Sequence, residues 1–403
     1  MDLPAVPSSV LEALQGSARS LGIPRLALVG GVVRDQLLHQ RWGRDWSGVP
    51  DLDWVVEGDT AALVAELGRQ VGSERISGVQ THGSFGTVAL QLDGIPLDLA
   101  SARQEHYPAP AENPVVRAGT LQADLSRRDF TINAMALDLV TGELIDLHHG
   151  QQDLASGQLR LLHAGSVADD PTRVIRAARY AARLGFQLAE DSREQIRCTI
   201  QQWPWAWTHG DAALSAPPAL ASRLRMELER LLEREPWPQA LDLLEQWRAL
   251  PLLDGQLQND PERTQRLRWA RRLGLPLMPA LLLGAADPVA TAQRLQIPGK
   301  QQQWLQQCVA LHNWLADTPP CLEASPSIWS TALEQQGWQP EAVALAVTLR
   351  PKPWKPLLRW WGRWRKIQAP QTARDLLAAG WQPGPAIGEE LRRQRSAAQE
   401  RSR

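Results

Sequence analysis

The stretch Leu26-Ala-Leu-Val-Gly-Gly-Val-Val-Arg-Asp35 reads as a short strand, a glycine turn and the start of a helix. Four consecutive apolar residues, 26–29, fit a buried strand, and Val32 to Leu38 continues as a helix. The paired glycines Gly30 and Gly31 let the backbone approach another group closely. The first turn of a helix leaves N–H groups without partners, so it can hold an anion, and Arg34 adds charge there. The spacing is neither a P-loop nor a dinucleotide fingerprint, because GxxxxGK[ST] and GxGxxG are both absent.

Working outward, Leu52 to Val56 reads as a second strand, with Asp51 and Asp53 at its start. Residues at i and i+2 on a strand share a face. Two carboxylates so placed can share a hard divalent cation that also takes phosphate oxygens. Thr87–Leu92 and Ile95–Leu99 read as strands joined by Asp93-Gly94, a hairpin dipeptide. The hairpin predicts a mixed sheet, and it makes Asp98 a candidate third carboxylate. Residues 101–125 are polar and proline-rich, which suits a mobile segment. Thr131 to Leu137 is expected to be helical, and Leu144 to Asp146 a strand.

Past residue 150 the strand signals fade. Asp170–Leu184, Ser192–Gln202, Ala219–Arg234 and Gln239–Leu250 follow the helical period, with Pro217-Pro218 and Pro236-Trp-Pro238 as breaks. The fold class is therefore α+β, a mixed-sheet head followed by a long helical body. Two clusters of chemistry bracket the transition. Arg127-Arg-Asp-Phe-Thr-Ile-Asn133 sets guanidinium groups beside Asp129 and Asn133, which a helix would place one turn apart. Asp169-Asp-Pro-Thr-Arg173 opens a helix in which Asp170, Arg173 and Arg176 fall on neighbouring faces.

The chain has 403 residues, 43% apolar and 22% charged, enough for real cores. No stretch is long and apolar enough for a membrane span, and the N-terminus lacks the pattern of a secretory signal. Three cysteines without a CxxC argue against a disulfide framework and point to a reducing cytoplasm. Residues 349–403 carry 13 Lys+Arg against 4 Asp+Glu, whereas the rest of the chain is net acidic. In that basic stretch Arg350, Lys352, Lys355, Arg359, Arg363, Arg365 and Lys366 alternate with four tryptophans. Cations neutralise phosphates and indoles stack on bases, so a polyanion partner such as RNA fits. Buried tryptophans beneath snorkelling cations would give the same pattern.

The ordered series Gly-Gly-x-x-Arg-Asp, Asp-x-Asp, Arg-Arg-Asp-Phe-Thr-Ile-Asn-Ala and Asp-Pro-x-Arg-x-x-Arg-Ala-x-Arg-Tyr, over about residues 25–190, resembles the class II tRNA nucleotidyltransferases. That family unites CCA-adding enzymes and bacterial poly(A) polymerases. The resemblance continues more weakly through Leu220–Leu232 and 373–388. It implies a catalytic head (1–140), a base-recognising neck (141–215), a helical body (216–320) and a basic, RNA-binding tail (321–403).

It further implies that Asp51 and Asp53 bind Mg²⁺ and promote attack of a tRNA 3′-hydroxyl on the α-phosphorus of CTP or ATP. Gly30, Gly31 and Arg34 would cradle the triphosphate. Arg128, Asp129 and Asn133 would hold ribose and phosphate. Asp170 and Arg173 would read the base, with Arg176 and Arg179 also at the nucleotide. Arg223, Lys352, Lys355, Arg363, Arg365 and Lys366 are the candidate RNA contacts.

Residues 103–125 resemble the family's flexible loop, which is linked to the switch from C to A addition and tends to be absent from enzymes that add only CC. The expected activity is thus untemplated addition of CCA to tRNA ends in the cytoplasm. A-addition alone and poly(A) synthesis are the alternatives. A fused phosphohydrolase is excluded, because none of the eight histidines is followed by an aspartate. Oligomeric state is not legible.

Overall fold

The computed structural model describes all residues except 1, 2, 5, 47–49, 83–85, 318–319 and 403. The chain packs as two compact units. The first comprises residues 1–208, 217–227 and 235–249, and the second 209–216, 228–234 and 250–403. Residues 1–208 of the expected head and neck fall in the first unit and 209–215 in the second, and the helix that leads to the body contributes to both.

In the first unit, strands β1 (Leu26–Val29), β2 (Leu52–Val56), β3 (Ile76–His82), β4 (Thr87–Leu92) and β5 (Ile95–Ser101) are followed by β6 (Arg103–His106), β7 (Val115–Ala118), β8 (Met135–Asp138) and β9 (Leu144–Asp146). Seven of them form one sheet in the order β3-β4-β5-β2-β1-β8-β9. The sheet is mixed, as the hairpin predicts: β2 and β5 run parallel and the other pairs antiparallel. Strands β6 and β7 form a separate antiparallel ribbon.

Helices α1 (Ser8–Ser20), α2 (Gly31–Trp42), α3 (Thr60–Val71), α4 (Leu121–Ser126), α5 (Gly150–Ser156), α6 (Ser166–Asp169) and α7 (Thr172–Leu184) surround the sheet or continue from it. Next come α8 (Glu190–Gln202), α9 (Ser222–Arg234) and α10 (Trp237–Gln246). All four residues of β1 are buried. Ala27, Val29, Val55 and Ala136 pack on Leu121 and Leu125 of α4. On β5, exposed Asp98 alternates with buried Leu97 and Leu99, the period of a half-buried strand.

Two local expectations change. Thr131–Asn133 is a single 3-10 turn, and the residues after it form β8 instead of a helix. Pairing of β8 with both β1 and β9 overrides the weak helical period of that stretch. The segment expected to be mobile forms the β6–β7 ribbon and α4.

The second unit holds α11 (Arg263–Arg272), α12 (Leu277–Leu282), α13 (Pro288–Arg294), α14 (Gly299–Asp317) and α15 (Pro326–Gln335). It continues through α16 (Pro340–Thr348), α17 (Trp354–Gly362), α18 (Ala373–Ala378) and α19 (Pro385–Glu400). Helix α16 is its centre, with every residue from Ala342 to Thr348 buried. Trp360 and Trp364 are core side chains, while Trp354 and Trp361 stay half-exposed. Burial thus accounts for Trp360 and Trp364 and leaves Trp354 and Trp361 partly accessible.

Candidate active site

Gly30 ends β1 with φ +77°, a left-handed conformation that favours glycine. A Cβ there would lie 3.2 Å from Arg128 Nη1 and 4.0 Å from Asp53 Oδ2. The glycine turn thus brings the backbone against a guanidinium and a carboxylate. Asp53 lies on the same face of β2 as Val55, and its Cα partner on β5 is Asp98. Asp51 just precedes β2, exposed. The enclosure of Asp53 raises its carboxyl above the usual range. Arg128 opposes that shift, and the neighbouring carboxylates Asp98 and Asp51 reinforce it. Mutual repulsion of this kind is relieved by a bound cation. Among the described residues no three carboxylate, imidazole or thiolate groups converge on one point.

These residues open on a cavity of about 630 Å³ lined by Gly30, Gly31, Asp53, Arg128, Asp129, Asn133, Asp170, Arg173, Arg176 and Arg223, together with the β6–β7 ribbon. Six arginines face it (Arg103, Arg127, Arg128, Arg173, Arg176, Arg223) against four carboxylates (Asp53, Glu105, Asp129, Asp170). That balance suits a polyanionic ligand. Arg128 donates to Asp124 at 2.8 Å, while its buried Nε has no partner among the described residues. Arg223 Nη1 is left in the same state. Buried donors without partners are costly, and a phosphate or base acceptor would satisfy them.

Asp129 is fully engaged. Its Oδ1 accepts from the Phe130 N–H at 2.8 Å and from Asn133 Nδ2 at 3.1 Å, and its Oδ2 accepts from Arg176 Nε at 2.8 Å. Burial alone would raise this carboxyl, but Arg176, the Asn133 amide and Arg173 outweigh it and hold it below the usual range.

Asp170 sits at the mouth of α7. Its Oδ1 accepts from the Thr172 N–H at 3.1 Å and Oγ1 at 2.6 Å, and its Oδ2 accepts from Arg223 Nη2. A carboxylate has about four acceptor positions, so one remains for a ligand. Arg173 donates to the Arg127 carbonyl at 2.9 Å, to Ser166 O at 3.4 Å and to His163 Nε2 at 3.3 Å. Both side chains are held in place before any ligand arrives. A carboxylate can accept from an exocyclic amino group while a neighbouring guanidinium donates to the adjacent ring acceptor, the pattern offered by the Watson–Crick edges of C and A but not by those of U or G.

The ribbon closes the site. Arg127 donates to Glu105 at 2.9 Å and to Asp124, tying β6 to α4. At the ribbon's turn, buried Ala111 has φ +65°. Its N–H donates to the carbonyls of Ala168 and Asp169 at 3.2 Å, and its carbonyl accepts from Ala219 N–H at 3.2 Å. Tyr107 lines the cavity beside Asp170 and Arg173.

Several expected site residues are placed elsewhere. Arg34 is buried and does not line the cavity. It donates to Asn133 Oδ1 at 2.7 Å and to Asp35 at 2.8 Å, and it lies over the Tyr180 ring. Arg179 is buried between Glu227 and Glu235. Arg223, grouped with the RNA contacts from sequence, lines this cavity instead. Lys352, Lys355, Arg363, Arg365 and Lys366 belong to the second unit. The contribution of Tyr180 and Arg223 had no sequence signal beyond residue type, because only the packing of α9 shows which way Arg223 faces.

A model of the poly(A) polymerase head domain matches residues 26–160. The chain is 34% identical over 382 residues to the CC-adding tRNA nucleotidyltransferase of Deinococcus radiodurans, spanning 91% of this chain and 82% of that protein. It is 40% identical over 179 residues to the A-adding tRNA nucleotidyltransferase of Aquifex aeolicus, which covers 44% of this chain but 20% of the relative. It thus spans most of the Deinococcus protein and only a fifth of the Aquifex protein. Among solved structures, an apo form of a CCA-adding enzyme superposes with a TM-score of 0.73 at 23% identity, over 97% of this chain and 93% of the other.

Proposed function

Because the chain belongs to the family of tRNA nucleotidyltransferases and poly(A) polymerases, we propose that it completes tRNA 3′ ends by adding C, C and A from CTP and ATP without a nucleic-acid template. The observation that carries this reading is the pair Asp170 and Arg173, fixed at one wall of an arginine-rich cavity whose other wall holds Asp53. The family uses a divalent metal, and Mg²⁺ is the ion we propose here. Asp53, with Asp51 or Asp98, would hold it, and when bound it would neutralise the triphosphate and lower the pKa of the attacking hydroxyl. Arg128 and the Gly30-Gly31 turn would bind phosphate oxygens. Asp170 and Arg173 would orient the base and reject U and G. Pyrophosphate would leave as the tRNA 3′-oxygen forms its bond to the α-phosphorus. Such substrates belong to the cytoplasm.

Partial addition is a second reading, because a relative that matches 91% of this chain is named as a CC-adding enzyme. The presence of the β6–β7 ribbon over the cavity supports the full reaction instead. Three tRNA substrates, ending at the discriminator base, at C and at CC, each given CTP, ATP or both with Mg²⁺, separate the readings. Completion of all three supports full CCA addition. Arrest after CC supports the partial enzyme. Extension of only the CC end, with ATP, means an A-adding specialist.

A further inference from the structure

Tyr180 lines the cavity, yet no step of the proposed reaction uses it. It shares one face of α7 with Arg173 and Arg176, at i, i+3 and i+7, and all three side chains border the cavity. Seven residues of helix carry Tyr180 about 10 Å beyond Arg173, away from the base-reading pair. There it meets the glycine turn. Arg34 of α2 lies over its ring, 5.3 Å from the centroid, and Phe130 meets the ring edge to face at 5.7 Å. A Cβ on Gly31 would lie 3.4 Å from the same guanidinium. Tyr180 therefore stands beside the first turn of α2, whose N-cap, Gly30, supplies no side-chain hydrogen bond.

Arg176, Arg179 and Arg183 also surround the ring, with guanidinium carbons 5.5 to 5.9 Å from its centroid. Every one of these cations is already engaged. Arg34 holds Asn133 and Asp35, and Arg176 holds Asp129. Arg179 lies between Glu227 and Glu235, and Arg183 donates to Glu235 at 2.9 Å. The Tyr180 hydroxyl is the exception. It makes no hydrogen bond among the described residues, and it is not buried. A phenol carries one donor, which rotates to suit a ligand. The guanidinium groups around the ring disfavour a further cation and favour a negative acceptor. They also hold the ring, so little side-chain freedom remains to be lost on binding.

We propose that the Tyr180 hydroxyl is a further substrate-binding group, donating to the terminal phosphates of the incoming nucleotide, the part that leaves as pyrophosphate. The proposal rests on the nucleotidyl-transfer function above. It gives α7 a hold on both ends of the nucleotide, the base through Arg173 and the leaving group through Tyr180. The test is the full chain carrying Y180F, which removes the hydroxyl and keeps the ring with its contacts. Extension of a C-ended tRNA by CTP with Mg²⁺ is measured against two inhibitors, inorganic pyrophosphate and CMP.

The expected result is an inhibition constant for pyrophosphate about tenfold higher in the variant, the loss of one hydrogen bond to a charged acceptor. The KM values for CTP and ATP should rise by a similar factor, because the two share the triphosphate. The inhibition constant for CMP, which has base, sugar and α-phosphate only, should stay within about twofold of wild type. Unchanged inhibition by pyrophosphate overturns the proposal and leaves the function intact. Equal weakening of pyrophosphate and CMP also overturns it, since Tyr180 would then shape the pocket as a whole. Wild-type protein that extends no tRNA overturns both.

Discussion

The Arg223 guanidinium meets the outer oxygen of Asp170 while the Thr172 backbone and hydroxyl hold the inner one. The carboxylate proposed to read the base is therefore aimed by a residue from another helix, α9. Removing Arg223 would leave Asp170 free to swing and partly uncompensated. Arg223→Ala is expected to lower kcat/KM for CTP and ATP by about tenfold, or ~1.4 kcal/mol, and to raise misincorporation of UTP. Arg223→Lys should restore only part, because a lysine lacks the planar fork. Single-nucleotide extension with each of the four triphosphates checks this. Equal losses in tRNA affinity and none in selectivity would return Arg223 to the RNA contacts.

The sequence showed as much of this site as local spacing can carry. The strand-glycine-helix of 26–35 and the Asp51/Asp53 pair were legible because their chemistry depends on neighbours in the chain. Arg223 was visible only as an arginine in an amphipathic helix, since its direction is set by packing against α7. The polar, glycine-containing β3 gave no alternation to read, because an edge strand has a weak apolar face. The turn at 131–133 read as helix, because Asp129 and Asn133 do meet, at 3.1 Å, in a geometry that a helix would also produce. Arg34 and Arg179 read as ligands because charge in a motif does not reveal burial.

Arg34 behaves as a strut. It supports Asn133, which in turn donates to Asp129, and it rests on the Tyr180 ring. Arg34→Ala would leave the Asn133 oxygen without a partner in a buried setting and is expected to cost ~2 kcal/mol of stability. The midpoint of urea unfolding should fall, and the KM for nucleotide should rise only modestly. A variant with wild-type stability and a large rise in KM would show that Arg34 contacts the triphosphate after all.

The ribbon turn is pinned by the N–H of Ala111 immediately before the base-reading pair. Ala111→Pro removes that donor and forbids the positive φ. The ribbon should detach from residues 168–169. If its position sets the pocket for the last nucleotide, ATP addition to a CC-ended tRNA should fall by about tenfold or more, ~1.4 kcal/mol, with CTP addition to a C-ended tRNA much less affected. Equal loss in both steps would mean that the ribbon merely encloses the site.

Asp98 lies beside Asp53 across the parallel β2–β5 pair. Asp53→Asn is expected to abolish incorporation of both nucleotides. Asp98→Asn should reduce kcat by about a thousandfold, ~4 kcal/mol of barrier, and shift the Mg²⁺ titration to higher concentration. A D98N enzyme with wild-type kcat and Mg²⁺ dependence would leave the metal to Asp51 and Asp53 alone.

His163 gives the base-reading pair a pH limit. Its Nε2 faces Arg173 Nη1 at 3.3 Å, so the ring must be neutral to accept from the guanidinium. Burial, and then Arg173 itself, push the imidazole below its usual range, with Asp169 opposing. A lowered pKa means that the neutral ring persists through neutral pH and protonates only below about 6.5, the unperturbed value. Once protonated, it would repel Arg173 and withdraw the acceptor. The ratio of CTP to UTP incorporation should therefore be constant from alkaline to neutral pH and decline only as the medium is acidified past the ordinary imidazole range. Using a ratio removes the pH dependence of metal binding and of the attacking hydroxyl, which both nucleotides share. His163→Gln, which keeps an acceptor that does not titrate, should hold the ratio flat across the same range. A wild-type ratio as flat as that of the glutamine variant would show that His163 does not position Arg173.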